Sequence, residues 1–499
     1  MMYNSTRDSG VSVSSAQAIA QGISKDGGLF VPESLPPLSQ EELRSMTAQS
    51  YVERAATVLS KFLTDFSAEE VKECASLAYT QERFRSPAIA PLHTLSEGVE
   101  ILELWHGPTC AFKDMALQIL PHLMRVSAKK TADGKTIIIL VATSGDTGKA
   151  ALEGFRDAEN TRILVFYPED GVSPMQKLQM TTQEGGNVAV CAIRGNFDDA
   201  QSGVKAIFTD PSIAAKLEKN GMMFSSANSI NWGRLVPQIV YYISAYCDMV
   251  RDGKITLGDS INVVVPTGNF GNILAAYYAR KMGLPVARLI CASNRNRVLT
   301  DFIETGVYDR NRAFYTTTSP SMDILISSNL ERLLYDLSGR DDGEIRRLME
   351  HLKTEGRYTV PAGMREKIHA LFAAGSCDDQ QAAETIRSTF QKYGYLLDTH
   401  TAVAVSVYER YRKETGDETP TVIASTANPY KFSDSVLKAI SGPSDAEEFE
   451  KVEQLHRATG CEVPAPLSSL RGKTPRFTGV CNRADMERTV YELLHIDVK

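Results

Sequence analysis

Val263-Val264-Val265-Pro266-Thr267-Gly268-Asn269-Phe270-Gly271-Asn272-Ile273 reads as a β-strand that runs into a glycine turn and out into a helix. Three β-branched residues in succession suit a strand buried on both faces. Glycines let backbone N–H groups converge on one point, and the start of the following helix adds a field that favours an anion. The spacing is not G-x-G-x-x-G, so a dinucleotide reading is weak. From this loop alone, an anion cradle and a bare βα turn are equally good readings.

The same grammar extends in both directions. Strand-like runs at 99–105, 136–142, 162–167 and 187–193 alternate with helix-like runs at 115–127, 149–156, 173–184 and 197–208. After a helix at 235–250 come strands at 260–265, 288–292 and 421–425, and a helix at 273–282. Such alternation implies right-handed βαβ units and parallel sheets. The expected fold is α/β, with two open parallel-sheet domains and a cleft between them. Residues 1–95 are expected to form a mainly helical N-terminal region, 96–245 the first α/β domain and 246–499 the second, with a helical insertion near 296–395. Ser14 or Ser15 is placed to cap the first helix, and Gly27 and Gly28 suit a turn at positive φ.

The chain has 499 residues, 43% hydrophobic and 23% charged, with a net charge of -7. An acidic balance argues against broad nucleic-acid binding, and no apolar run is long enough to cross a bilayer. The eight cysteines are scattered with no C-x-x-C pair, and there is no H-E-x-x-H. Neither a disulfide framework nor a metal site is expected. Residues 1–8 lack the basic-then-apolar pattern of a secretory signal, so a cytoplasmic location is expected.

Lys113 lies in Trp105-His106-Gly107-Pro108-Thr109-Cys110-Ala111-Phe112-Lys113-Asp114, between a strand-like and a helix-like run. A lone lysine at such a junction is usually a solvated cation. Beside two candidate anion cradles it suggests an amine that takes an aldehyde carrying a phosphate, which pyridoxal 5′-phosphate fits. The second cradle is Thr143-Ser144-Gly145-Asp146-Thr147-Gly148-Lys149. It fails the Walker pattern in spacing and because Ala150 follows the lysine. A capped helix start is its bland alternative. A third cluster, Ser225-Ser226-Ala227-Asn228-Ser229-Ile230-Asn231-Trp232-Gly233-Arg234, offers amides, hydroxyls and a guanidinium suited to a forked phosphate contact, or else is a polar loop. The eight histidines form no obvious catalytic set; His106 is the one expected to line the site.

Taken in order, these motifs resemble the threonine synthases, in the longer bacterial and fungal branch of that family of fold-type II (tryptophan synthase β-like) pyridoxal phosphate enzymes. The resemblance covers nearly the whole chain. It is carried by Tyr3-Asn4-Ser5-Thr6-Arg7, Asp26-Gly27-Gly28-Leu29-Phe30-Val31-Pro32, the Lys113 segment, Ser319-Pro320-Ser321-Met322-Asp323-Ile324, Ser328-Asn329-Leu330-Glu331-Arg332, Asp398-Thr399-His400-Thr401-Ala402 and Ser425-Thr426-Ala427-Asn428-Pro429-Tyr430-Lys431-Phe432. Single motifs are modestly specific; the ordered set is very specific.

The resemblance implies roles. Lys113 would hold the cofactor through its amine and later carry protons. Gly268, Asn269, Phe270, Gly271 and Asn272 would bind the cofactor phosphate, and Thr426 would face the pyridine nitrogen. Ser144, Thr147, Asn228, Ser229 and Arg234 would hold the phosphate of the substrate. Asp146 stands where many fold-type II enzymes carry asparagine, so its carboxyl is expected to be protonated or turned away. Ser321 stands where alanine is expected. The implied reaction turns O-phospho-L-homoserine and water into L-threonine and phosphate, in a monomer or weak homodimer with no nucleic-acid or membrane partner. Rivals are a phospho-lyase releasing 2-oxobutyrate from the same substrate, a serine/threonine dehydratase, and a non-catalytic regulatory protein that binds pyridoxal phosphate or phosphate.

Overall fold

The isoleucine- and valine-rich runs Thr136–Ala142 and Ile261–Pro266 become interior strands of two separate sheets. A computed structural model describes residues 1–131, 134–143, 145–170 and 172–496, with the side chains of Phe197 and Asp198 left aside. The larger sheet has six strands in the order Phe372–Ser376, Val286–Ser293, Ile261–Pro266, Thr421–Ser425, Val99–Glu103, Leu92–Ser96. Its first five are parallel and the last is antiparallel. The smaller has five parallel strands in the order Val480–Asn482, Val188–Arg194, Thr161–Pro168, Thr136–Ala142, Met222–Ser225. Helices bury the strand faces, which is why Ile261–Pro266 has no exposed position.

Helix Trp232–Arg251 is buried along nearly its whole length. It packs against Gly271–Met282 and against Tyr51–Phe62 of the N-terminal region. There Arg54, itself buried, pairs with Asp248 at 2.7 Å and donates to Ser244 Oγ at 2.8 Å. A buried guanidinium needs such full satisfaction to be tolerated. Among the described residues no helix is long and apolar enough to cross a membrane.

Several sequence expectations need correction. A linear division at 95 and 245 gives two strands to the other sheet. Val99–Glu103 pairs in parallel register with Thr421–Ser425 in the larger sheet, and Val480–Asn482 adds to the edge of the smaller one. The span 296–395 is not only helical: Phe372–Ser376 closes one edge of the larger sheet, and Val307–Asp309 pairs with Arg357–Thr359. Phe-Ala-Ala-Gly-Ser carries no β-branched residue, so nothing local announced that strand. The N-terminal region contains a three-stranded antiparallel sheet of Tyr3–Ser5, Asp8–Val13 and Phe30–Pro32 besides its helices. The helix read at 115–127 is two helices, Asp114–Leu117 and Leu120–Thr131. Pro121 has no N–H to give the Leu117 carbonyl, so the helix restarts there.

Ser14 does cap helix Ser15–Gln21, in a capping box with Gln17. Gly27 has φ 79° as the turn requires. Gly28 is needed for close approach instead, since a Cβ there would lie 2.0 Å from Ser5 Oγ and 3.0 Å from the Arg7 backbone nitrogen.

Candidate active site

Each chemistry-bearing segment leaves the carboxyl end of a parallel strand, where open α/β sheets collect their ligands. Thr143 and Asp146 follow Thr136–Ala142, the glycine loop follows Ile261–Pro266, and Thr426 follows Thr421–Ser425. Lys113 comes after Val99–Glu103 and is laced to the Thr426 loop. The Phe112 N–H donates to the Thr426 carbonyl at 2.8 Å, and the Asn428 N–H to the Cys110 carbonyl at 3.0 Å.

Lys113 is buried at the head of the short helix Asp114–Leu117. Its Nζ donates to Ser321 Oγ at 3.3 Å and lies 3.7 Å from Asp146 Oδ2. Burial lowers its pKa, the Lys431 and Arg234 cations push the same way, and Asp146 opposes. A lysine so placed is biased toward the neutral amine that a nucleophile or base must be.

Asp146 is buried, and its carboxyl faces Lys113 and Lys431. Burial alone would raise its pKa, but Lys431 and Lys113 outweigh that and hold the carboxyl well below the usual range. Lys431 Nζ sits 2.8 Å from Asp146 Oδ1, and Gln176 Nε2 donates to the same oxygen at 3.0 Å. Lys431 also donates to the Thr109 carbonyl at 2.8 Å. A buried lysine is thus a member of the site, one to which its own motif assigned no role.

In the glycine loop, Phe270 adopts φ 63° at the head of helix Gly271–Met282, a conformation that bulky residues take only when the surroundings enforce it. A Cβ on Gly268 would lie 2.5 Å from the Ser321 carbonyl oxygen. The Asn269 carbonyl accepts from the Asn329 backbone N–H at 3.1 Å and from its Nδ2 at 3.0 Å. Asn272 Oδ1 accepts from the hydroxyls of Tyr241 and Tyr242, which leaves its buried Nδ2 without a partner.

Strand Met222–Ser225, which the sequence did not announce, lies parallel to Thr136–Ala142 and sends the 226–231 turn out at the same end. Asn228 and Ser229 on that turn are half-buried, as is Thr147 on helix Asp146–Gly154. Ser144 lies outside the described residues. Arg234 is buried, donates through one terminal nitrogen to the Ala227 carbonyl at 2.8 Å, and has no partner on Nε. Burial brings its pKa down to about 10.

His106 is committed elsewhere: Nε2 lies 2.7 Å from Glu103 and the ring stacks on Trp105. The histidine that reaches the site is His400. Its Nε2 accepts from the Ser321 backbone N–H at 3.2 Å and its Nδ1 faces Asp398 at 3.0 Å, so the Nδ1–H tautomer is the one that satisfies both.

The site therefore offers a buried amine, a glycine-lined helix start with an unpaired amide nitrogen, and a separate guanidinium with an unpaired Nε. These fit an aldehyde with a phosphate arm and a second anion. Residues 2–79 match the family described as threonine synthase N terminus, 84–366 the pyridoxal-phosphate dependent enzymes, and 401–489 the threonine synthase C-terminal family. Threonine synthase of Pseudomonas aeruginosa is 40% identical over 93% of this chain and 95% of its own.

The chain belongs to the threonine synthase family.

The structure of pyridoxal phosphate-bound threonine synthase from Brucella melitensis superposes with a TM-score of 0.87 at 37% identity, covering 99% of each chain. Human threonine synthase-like 1 is 42% identical over 85% of this chain. The chain spans only 58% of that relative's length. Membership of the threonine synthase family also accounts for the fold that the chain shares with that structure.

Proposed function

We propose that this chain is itself a threonine synthase, a lyase that takes O-phospho-L-homoserine and water to L-threonine and phosphate. The observation that carries this is Arg234: a buried guanidinium with an unpartnered Nε, electrostatically coupled to Lys113 and not needed for the cofactor's own phosphate loop. A dehydratase acting on free serine or threonine has no second phosphate to place there.

Pyridoxal 5′-phosphate, when bound, supplies an electron sink for the charge left by C–H cleavage. Lys113 would hold it, Gly268 to Asn272 would carry its phosphate, and Thr426 would lie against its ring nitrogen. Lys113 then takes the α-proton of the substrate and returns protons later; its burial, with Lys431 and Arg234 nearby, biases it toward the neutral amine that this role needs. Arg234 holds the leaving phosphate and offsets the charge that grows on it, with Thr147, Asn228 and Ser229 as neighbours on the same rim. Asp146 stays ionised through Lys431 and restrains the Lys113 amine from one side, while Ser321 Oγ does so from another.

The test is phosphate release from O-phospho-L-homoserine by the cofactor-loaded chain and by Lys113→Ala. Release by the first and not by the second is expected. Sustained multiple turnover by Lys113→Ala refutes the assignment.

A further inference from the structure

Lys431 has no place in the reaction just described beyond touching Asp146, yet it is an almost fully buried lysine, which is rare without a purpose. It sits on the 3-10 turn Pro429–Phe432, fixed between Asp146 Oδ1 at 2.8 Å and the Thr109 carbonyl at 2.8 Å. Thr109 is itself locked to Asp114 through its N–H at 2.8 Å and its hydroxyl at 2.7 Å. Lys431 is thus held between helix Asp146–Gly154 and the segment that carries Lys113.

We infer that Lys431 is a positioning residue that balances the charge of Asp146, so that Asp146 can restrain the Lys113 amine without fixing a proton on it. An unbalanced carboxylate 3.7 Å from Nζ would stabilise the ammonium form, which has no lone pair to add to an aldehyde. An unbalanced Lys431 would do the reverse. The Asp146–Lys431 pair presents the amine with a neighbouring carboxylate but little net charge. The other groups around Lys113 are Arg234 from helix Trp232–Arg251, the Ser321 hydroxyl with His400 and Asp398 behind it, and Asp114 and Cys110 on its own segment. Of these Arg234 is a cation that the amine also feels, and it acts in the same sense as Lys431.

The inference rests on the pyridoxal phosphate reading, and its test separates the two. In loading, the neutral Lys113 amine adds to the aldehyde carbon and one water leaves. The rate of that step onto the full-length apo chain is followed by absorbance across pH, with borohydride reduction and peptide mass to locate the adduct.

Lys431→Met leaves Asp146 uncancelled, so the loading profile should move alkaline by about one pH unit or more and slow about tenfold at neutral pH. Asp146→Asn leaves Lys431 uncancelled, so the profile should move acid. The double variant should return close to the parent, a coupling that separate structural damage does not produce. Shifts in the same direction, no shift, or a double variant no better than Lys431→Met overturn the inference. If Lys431→Met does not fold, the acid shift in Asp146→Asn and its reversal in the double variant decide the matter in the same way. Failure of the parent chain to take the cofactor on Lys113 overturns the cofactor reading instead.

Discussion

Gly268→Ala is a sharp test of how the glycine loop is built. The added Cβ meets the Ser321 carbonyl oxygen at 2.5 Å, with the Ser321 carbonyl carbon at 3.5 Å and Met322 Cα at 3.6 Å. Ordinary contact begins near 3.4 Å, so about 0.9 Å of retreat is required, and the obstacle is backbone. That backbone is the 3-10 turn Pro320–Met322, tied down by the Ser321 N–H on His400 and the Met322 N–H on the Ser319 carbonyl at 3.0 Å. Overpacking of this kind costs about 1–3 kcal/mol. Because the same retreat carries Ser321 Oγ away from Lys113 and deforms the phosphate loop, the cost should fall on cofactor binding. At about 1.4 kcal/mol per tenfold, affinity for pyridoxal 5′-phosphate should weaken by roughly 5- to 150-fold. Equilibrium absorbance titration measures it, with thermal melting of the apo chain alongside. Gly363→Ala is the control, since a Cβ there meets nothing within 4 Å. A Gly268→Ala chain that binds the cofactor and melts like the parent would refute this description of the loop.

Other expectations follow from the same contacts. Arg234→Met removes charged hydrogen bonds worth about 1.5–3 kcal/mol, so kcat/KM for the phosphorylated substrate should fall by roughly 10- to 150-fold while cofactor loading is little changed; steady-state kinetics beside a loading titration checks it. His400→Leu leaves the half-buried Ser321 N–H without an acceptor, which should cost about 1 kcal/mol in a denaturant melt and loosen the turn beneath Lys113. Burial, with Arg83 and Arg125 nearby, brings the His122 pKa down from 6.5 to about 4. Its folded-state pKa lies below the unfolded one, so the stability it contributes is present above about 6.5 and lost as pH falls toward 4. Because the ring is partly exposed, the loss is on the order of 2 kcal/mol rather than the full shift; His122→Gln should flatten that acid limb in melts taken from pH 7 to pH 4.

Much of this was legible in the chain. Apolar strands buried on both faces, such as Ile261–Pro266, declare themselves by composition, and glycine turns mark where they end. Phe372–Ser376 and Val480–Asn482 do not, because their partners, not their residues, make them strands. The site divides in the same way. Lys113 and the 268–272 loop stand out through local pattern, whereas Lys431 reaches Asp146 across 285 positions of chain and His400 reaches Ser321 across 79. No local spacing encodes such pairings. The carboxylate of Asp146 looked anomalous alone and becomes ordinary once its counter-charge is seen.

The most direct measurement follows phosphate, threonine and 2-oxobutyrate together after the cofactor-loaded chain meets O-phospho-L-homoserine. Threonine rising in step with phosphate, with little 2-oxobutyrate, is the predicted result. Phosphate accompanied by 2-oxobutyrate would make the chain a phospho-lyase on the same scaffold, and no phosphate at all would contradict the assignment of Arg234 and of the reaction.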